Sequence, residues 1–203
     1  MALIIYGNPR SRTMRILWLA EELDLQYEHR PLGWDDPFLK TDDFLRLNPA
    51  GAIPTIVDDG FALGESMAIT LYLGKKYGSD GPSPIYPAGL ENEATVWRWS
   101  LWAQAHLEPW VQQDQLLSAE LDFIRQSLAP VVERSLRTLE TALAEKTWLA
   151  MDHFTVADLN VAGVLSPSRT IHLDMQPYPR VLAWLSACYD RQAAKATRTR
   201  FAA

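Results

Sequence analysis

The first 78 residues alternate between short apolar runs and amphipathic stretches. Leu3-Ile4-Ile5-Tyr6, ended by Gly7-Asn8-Pro9, predicts a buried strand followed by a turn. Ser11 to Leu23 places Met14, Leu17 and Trp18 at helical spacing with Glu21 and Glu22 beyond, which predicts a helix. Leu25 to His29 suits a second strand, and Pro37 to Leu47 a modest helix after the turn-like Gly33-Trp34-Asp35-Asp36. Pro54 to Val57 and Phe61 to Leu63 bracket Asp58-Asp59-Gly60, the pattern of a hairpin with a short turn. Glu65 to Tyr77 reads as a third helix stopped by Gly78. The order is βαβ, α, ββα: a right-handed crossover makes the first two strands parallel, and the hairpin adds an antiparallel pair.

The pattern changes near residue 79. Gly78-Ser79-Asp80-Gly81-Pro82-Ser83-Pro84, with Pro87 and Gly89 soon after, cannot hold a regular ladder of backbone hydrogen bonds and reads as a linker over 79–89. From Leu90 on the spacing is helical, over about 90–112, 119–145, 155–166 and 179–193, with no convincing strand. The expected fold is therefore α/β plus all-α: an α/β domain over 1–78, the linker, and an all-helical domain over 90–203.

Composition narrows the function. Hydrophobic residues make up 48% and charged residues 22%, which excludes a disordered chain. The net charge is −6, and it is spread evenly: 8 Lys/Arg against 11 Asp/Glu in residues 1–78, and 11 against 14 in the rest. No basic half exists to follow phosphates, so nucleic acid is not an expected partner. A single cysteine, Cys188, forbids an internal disulfide and fits a reducing compartment. The apolar run ahead of Gly7 is too short for a signal peptide, and no run approaches the roughly 18 residues of a membrane helix. The expectation is a cytoplasmic protein that does not enter membranes.

Three places carry candidate chemistry. In Leu47-Asn48-Pro49-Ala50-Gly51-Ala52-Ile53-Pro54, a cis Ile53–Pro54 bond would turn the N–H and C=O of Ile53 outward, where a peptide could pair with them as a short added strand. A trans bond would make Pro54 an ordinary turn proline. In Gly64-Glu65-Ser66-Met67-Ala68-Ile69, Ser66 stands at a helix start with Glu65 beside it. An amino-acid head group is a zwitterion: a helix N-terminus and a hydroxyl suit its carboxylate, and a neighbouring acid suits its ammonium. The same pair also reads as a simple helix cap with a dipole-complementing acid. Ser11, just after Pro9-Arg10, can donate to an anion held at the first helix; if that anion is a thiolate, its pKa falls from about 8.5. Tyr6, at the end of the first strand, is a rival donor, while a plain N-cap and a core aromatic are the structural alternatives for the two.

Taken together, these elements resemble the cytosolic glutathione transferases over nearly the whole chain. The likeness rests on Ile5-Tyr6 with Ser11 to Arg15, Asn48-Pro49-x-Gly51-x-Ile53-Pro54, Glu65-Ser66-x-Ala68-Ile69, and Phe154-Thr155-Val156-Ala157-Asp158-Leu159 in the helical half. Thr155-x-x-Asp158 is also a capping-box-like helix start, structural in that family. The resemblance implies a thioredoxin-like N-terminal domain that binds glutathione as co-substrate, with no tightly bound cofactor, and a helical domain contributing the site for a small apolar electrophile. It further implies a homodimer working in detoxification. Carried onto this sequence, Ile53 would bond the cysteinyl backbone with Pro54 cis, and Glu65 and Ser66 would hold the γ-glutamyl head. Ser11 would stabilise the thiolate, by likeness to the serine-type classes in which that residue stands four before an arginine, here Arg15; in tyrosine-type classes Tyr6 would do so. Members often carry lysine or glutamine before the pre-proline residue to bind the glycyl end; here it is Ala52, leaving Asn48, Trp34, Lys40 or Arg12 as substitutes. A glutathione-dependent isomerase, dehalogenase or peroxidase, and a non-catalytic ligand-binding module, are the alternative readings.

In the helical half, Trp99, Trp102, His106 and Trp110 fall within about 80° of one another on a regular helix. They read as a wall of the electrophile pocket with His106 or Gln104 as polar contacts, or else as domain or subunit packing. His29, His106, His153 and His172 show no metal-ligand spacing, and Cys188 lies on an apolar helix face and reads as core.

Overall fold

The computed structural model describes residues 2–111, 122–167, 170 and 173–201. In chain order these form β1 (Leu3–Tyr6), α1 (Thr13–Glu22), β2 (Tyr27–Arg30), a 3-10 turn (Pro37–Lys40), α2 (Asp42–Leu47), β3 (Thr55–Asp58), β4 (Phe61–Gly64), α3 (Ser66–Tyr77), α4 (Leu90–Trp102) running into a π turn (Ala103–Leu107), α5 (Asp122–Ala142), α6 (Val156–Val164), α7 (Pro179–Asp190) and α8 (Gln192–Phe201). They divide into two compact units, Met1–Tyr86 with Arg191–Ala203, and Pro87–Asp190.

Among the described residues the first unit holds a four-stranded sheet in the order β2-β1-β3-β4. β1 and β2 are parallel, as the crossover argument requires, and β3 pairs antiparallel with both β1 and β4. The hairpin turns through Asp59 (φ 48°) and Gly60 (φ 90°), both left-handed, the two-residue geometry whose twist matches the flanking strands. Strand alternation splits the core. Ile4, Tyr6 and Val57 pack with Phe38, Leu39 and Phe44 on one face. Leu3, Ile5 and Ile56 are buried on the other, where α1 and α3 pack together.

Local details depart from the sequence pattern for physical reasons. The 37–47 helix is broken at Thr41, which is extended (φ −76°, ψ 152°) and caps α2 by accepting from Phe44 N–H at 3.3 Å. On α1 the buried set is not one stripe: Thr13 and every residue from Arg15 to Ala20 are buried, whereas Met14 is only half-buried. The helix packs against α3 and α8 as well as the sheet, so burial runs most of the way round it.

The C-terminal segment is the largest departure. The expected helical domain over 90–203 includes residues 191–203; in the structure they belong to the first unit. Arg191 grips Glu22 with two bonds of 2.8 Å, Trp18 Nε1 donates to the same carboxylate at 2.9 Å, and Arg200 reaches Glu21 at 2.9 Å. Part of the expected linker is likewise packed: Ile85, Tyr86 and Pro87 are buried, and Tyr86 N–H bonds Gly78 O at 3.0 Å.

At the N-terminal end of β1, Asp58 is buried and accepts from Lys76 (2.7 Å), Tyr77 (2.8 and 2.9 Å) and Tyr72 (2.9 Å). Burial pushes its carboxyl up, but the donors from Lys76, Tyr77 and Tyr72 outweigh this and hold it below the usual carboxylate range. The unfolded chain then binds this proton more readily, so the stability the cluster contributes is present above about pH 4 and is lost as pH falls through the folded value. Asp58→Asn is expected to cost roughly 2–3 kcal/mol at neutral pH and to flatten the acid limb of a urea-midpoint-against-pH curve.

In the second unit α4 packs on α6 and α5 on α7. Val96, Trp99, Ala103, Leu107 and Val111 are its buried apolar positions along 90–111. The last four are spaced by four, which on a regular helix would drift the face by about 120° over three steps. The π turn over Ala103–Leu107 winds more widely and takes up that drift. Thus the regular stripe of Trp99, Trp102, His106 and Trp110 does not form: Trp99 is buried, Trp102 and Trp110 are half-buried, and His106 is exposed. Asp158 fastens the start of α6, accepting from Leu149 N–H (2.9 Å), Thr155 N–H (3.0 Å), Thr155 Oγ1 (3.1 Å) and Trp184 Nε1 (2.9 Å). Cys188 is buried in this unit, as its apolar pattern implied. The expected helix over 179–193 is two helices meeting near Arg191. Position 112, positions 119–121 of another expected helix, and His172 lie outside the described residues.

Candidate functional site

Strand register brings the candidate segments together. Tyr6 stands opposite Thr55, and Thr55 opposite Gly64, so the end of β1, the start of β3 and the end of β4 share one end of the sheet. Gly7 to Ser11, Ile53-Pro54 and Glu65-Ser66 continue those strand ends, and all gather there. The Ile53–Pro54 bond is cis.

Gly7 (φ 142°) is where the first two segments touch. A Cβ on it would lie 2.2 Å from Thr13 Oγ1 and 3.2 Å from Ile53 Cβ, so no side chain fits. The loop that follows closes on Ser11. The Ser11 hydroxyl donates to Asn8 O at 2.6 Å, accepts from Thr13 N–H at 3.1 Å and lies 2.8 Å from the Thr13 hydroxyl. α1 therefore begins at Thr13 rather than at Ser11, and Ser11 is the hub of the turn that introduces it.

Tyr6 is elsewhere. Its ring belongs to the opposite face of the sheet, edge-on to Phe44 at 5.8 Å, and its hydroxyl meets Arg30 Nη1 at 3.1 Å. The strand places successive side chains on opposite faces, so the expectation that this phenol could point at the start of α1 does not hold.

At the third segment Glu65 is the residue ahead of α3, with φ 66° and ψ 112°, a conformation that costs a non-glycine residue about 1–3 kcal/mol. No side-chain cap bond forms at this helix start, so the plain capping role is not what the pair performs. Ser66 is 2% exposed, and its oxygen accepts from the guanidinium of Arg15, itself buried, at 3.2 Å. With a cation on its acceptor side, the Ser66 hydroxyl cannot donate to Arg15, and its hydrogen is left for another acceptor at the residue that opens α3. The exposed carboxylate of Glu65 stands next to it. One end of this segment can thus receive an anion and the other a cation. Arg15 ties α1 to α3 across this site, a role the sequence reading missed; the available signal was an arginine among the apolar residues of α1.

The substitutes for the glycyl-end residue separate clearly. Asn48 Nδ2 donates to Ala52 O (3.0 Å) and Thr55 Oγ1 (2.9 Å), and its Oδ1 accepts from Ala50 N–H (3.1 Å). Its polar atoms organise the 48–55 loop instead of facing a ligand. Lys40 is exposed at the end of the 3-10 turn, next to Leu39, whose carbonyl abuts Gly51 of that loop. In the second unit, Trp102 packs edge-on to Trp99 at 5.4 Å, and Gln104 is half-buried. A groove of about 670 Å³ beside Trp99 is lined by Arg98, Pro130, Arg134 and Arg137, with none of Trp102, Gln104, His106 or Trp110 in its wall.

Known proteins share this architecture. Residues 1–75 match the model for the glutathione S-transferase N-terminal domain, and residues 108–187 match that for the glutathione S-transferase C-terminal domain. Glutathione S-transferase D7 of Anopheles gambiae is 32% identical over 199 residues, covering 94% of this chain and 87% of that protein. Glutathione transferase F7 of Populus trichocarpa superposes with a TM-score of 0.82 at 27% identity, over 98% of this chain and 99% of its own. Ure2p in complex with glutathione shares the fold, with a TM-score of 0.85 at 20% identity over 96% of this chain and 97% of that one. The two domain matches together span most of the chain, and with the Anopheles relative they show that the chain belongs to the glutathione S-transferase family.

Proposed function

We propose that this protein binds glutathione at the sheet end described above and conjugates it, through its thiolate sulfur, to an apolar electrophile. The observation that carries the reading is the Arg15–Ser66–Glu65 corner: a buried hydroxyl that accepts from a guanidinium at the first residue of α3, with an exposed glutamate next to it in the chain. Ser66 and the first N–H groups of α3 receive the γ-glutamyl carboxylate, and Glu65 its ammonium. Ile53 pairs with the cysteinyl backbone as an added strand. Lys40, at the exposed end of its turn, meets the glycyl carboxylate.

The thiol of the bound tripeptide then lies over the Ser11 turn. Its proton leaves to water, and the Ser11 hydroxyl swings from Asn8 O to donate to the thiolate, lowering the thiol pKa from about 8.5. The thiolate electron pair forms the new carbon–sulfur bond. The leaving group departs with its own pair, or the carbon skeleton takes up a proton if the electrophile adds. Proximity and thiolate stabilisation supply the rate, because the nucleophile is itself a ligand. The aromatic residues of α4 and the turn after it, with Gln104, are the candidates for holding the electrophile. A homodimer in the cytoplasm, acting on reactive xenobiotics, completes the reading.

Ser66→Ala is expected to weaken glutathione binding by about 10–100-fold in calorimetric titration, with turnover at saturating glutathione little changed. Unchanged affinity would remove the corner from the site. One observation favours a second reading, a glutathione-binding module without transfer: the Ser11 proton is engaged by Asn8 O at 2.6 Å. Ultraviolet thiolate absorption separates the two. It grows at neutral pH when glutathione is added to a transferase, and does not when it is added to a module.

A further inference from the structure

The Ser11 turn has a support that none of the glutathione-contacting residues provides. β2 is an edge strand whose side chains alternate: Arg30 reaches Tyr6 on the α2 face, while His29, level with Ile5, lies on the other. His29 Nε2 is 2.9 Å from Gly7 O. A carbonyl only accepts, so Nε2 carries the proton and donates. Gly7 N–H in turn donates to Arg30 O at 3.0 Å, so both polar groups of this glycine are held by β2. Gly7 cannot shift without moving Thr13, whose hydroxyl fills its missing side-chain space and bonds Ser11.

The imidazole is itself braced. The ring of Phe201, in the last turn of α8, meets it edge-on at 5.2 Å. Arg200 lies over both Phe201 (5.4 Å) and Tyr27 (5.5 Å) while bonding Glu21, and Arg191 fastens the opposite end of α8 to Glu22. α8 is thus anchored at both ends, and its aromatic ring rests on a side chain that holds Gly7 O.

We propose that His29, braced by Phe201, is a positioning residue for the Gly7–Ser11 turn, so that the C-terminal helix helps build the glutathione site without touching the ligand. Its catalytic consequence rests on the role given to Ser11 above; its structural consequence does not. Neither His29 nor Phe201 meets substrate. They act through Gly7 O on where the Ser11 hydroxyl stands.

The test uses the full-length chain in two arms. In the ligand-free protein, hydrogen exchange of amides 8–13 is expected to quicken about tenfold or more in His29→Leu and in Phe201→Ala, measured against α3 amides as the internal standard. His29→Gln, whose side-chain amide can donate from near the Nε2 position, and Phe201→Leu are expected to restore protection. In the second arm, kcat for conjugation falls about tenfold in His29→Leu while the glutathione Kd stays within about twofold, and the titration of the bound thiol moves upward; a misplaced donor does this and a merely loosened fold does not. Unchanged exchange at 8–13 in His29→Leu overturns the proposal, as does a His29→Gln protein no better protected than His29→Leu. Should Phe201→Ala fail to fold, the His29 pair decides the matter, because it leaves α8 intact. Should the unaltered protein neither bind glutathione nor lower its thiol pKa, the functional reading fails, and the exchange arm still decides the strut.

Discussion

Asp158→Ala is expected to lower the unfolding free energy of the helical unit by about 4 kcal/mol or more, the largest loss from any single side chain discussed above. The carboxylate is wholly buried and satisfies the Leu149 and Thr155 N–H groups, the Thr155 hydroxyl and the Trp184 indole. Alanine would strand all of these donors in an apolar setting, at about 1–3 kcal/mol each before relaxation. Water entering the gap would recover part of that. Asp158→Asn keeps one acceptor oxygen and introduces two hydrogens facing donors, so it should lose about half as much. Urea unfolding followed by tryptophan fluorescence reads the effect directly, since Trp184 reports from inside the network. A loss under about 1 kcal/mol in Asp158→Ala would mean that the network contributes specificity of packing and little net stability.

Ser11→Ala is the second. If the hydroxyl donates to the glutathione thiolate, its removal forfeits a charge-assisted hydrogen bond worth about 2 kcal/mol, roughly thirtyfold in kcat near pH 6.5. The deficit should shrink above about pH 9, where the thiol ionises without help. Glutathione affinity should stay within about twofold, because the head group is held at Glu65-Ser66. The variant also loses the hub of its own turn, so a Ser11→Thr protein is the needed companion: it keeps a hydroxyl and should recover much of the rate. Tyr6→Phe provides the opposing control. The phenol lies on the α2 face beside Arg30, so its loss should leave kcat nearly unchanged. Full activity in Ser11→Ala together with a loss in Tyr6→Phe would return the donor role to tyrosine and require the loop to rearrange on binding.

The two assignments differ in how much of them could be read along the chain. That Ser11, Ile53-Pro54 and Glu65-Ser66 would gather at one end of the sheet was legible, because each sits near a strand end, where a turn proline or a helix start leaves a local mark. Asn48 illustrates the limit: its place in the Asn48-Pro49-x-Gly51 turn was readable, yet whether its amide served a ligand or the loop depended on Ala52 O and Thr55 Oγ1 coming within bonding distance. Arg15 looked like a spacing marker because its partner, Ser66, lies 51 positions away.

Hydrophobic period and turn chemistry alone determined the element order, the parallel β1–β2 pair, the hairpin at Asp59-Gly60 and the change to helices after residue 79. These depend on neighbours within a turn or a pleat, so the information is local. Tertiary structure decided the rest. It packed Phe38, Leu39 and Phe44 onto the sheet face that holds Tyr6, inserted a π turn where the buried positions of 90–111 outran the helical period and met α6, and drew α8 back onto α1 through Arg191–Glu22 and Arg200–Glu21. Each of those outcomes is a contact between residues far apart in sequence, whose energy exists only once the chain has closed the distance; a single sequence records the partners but not the pairing.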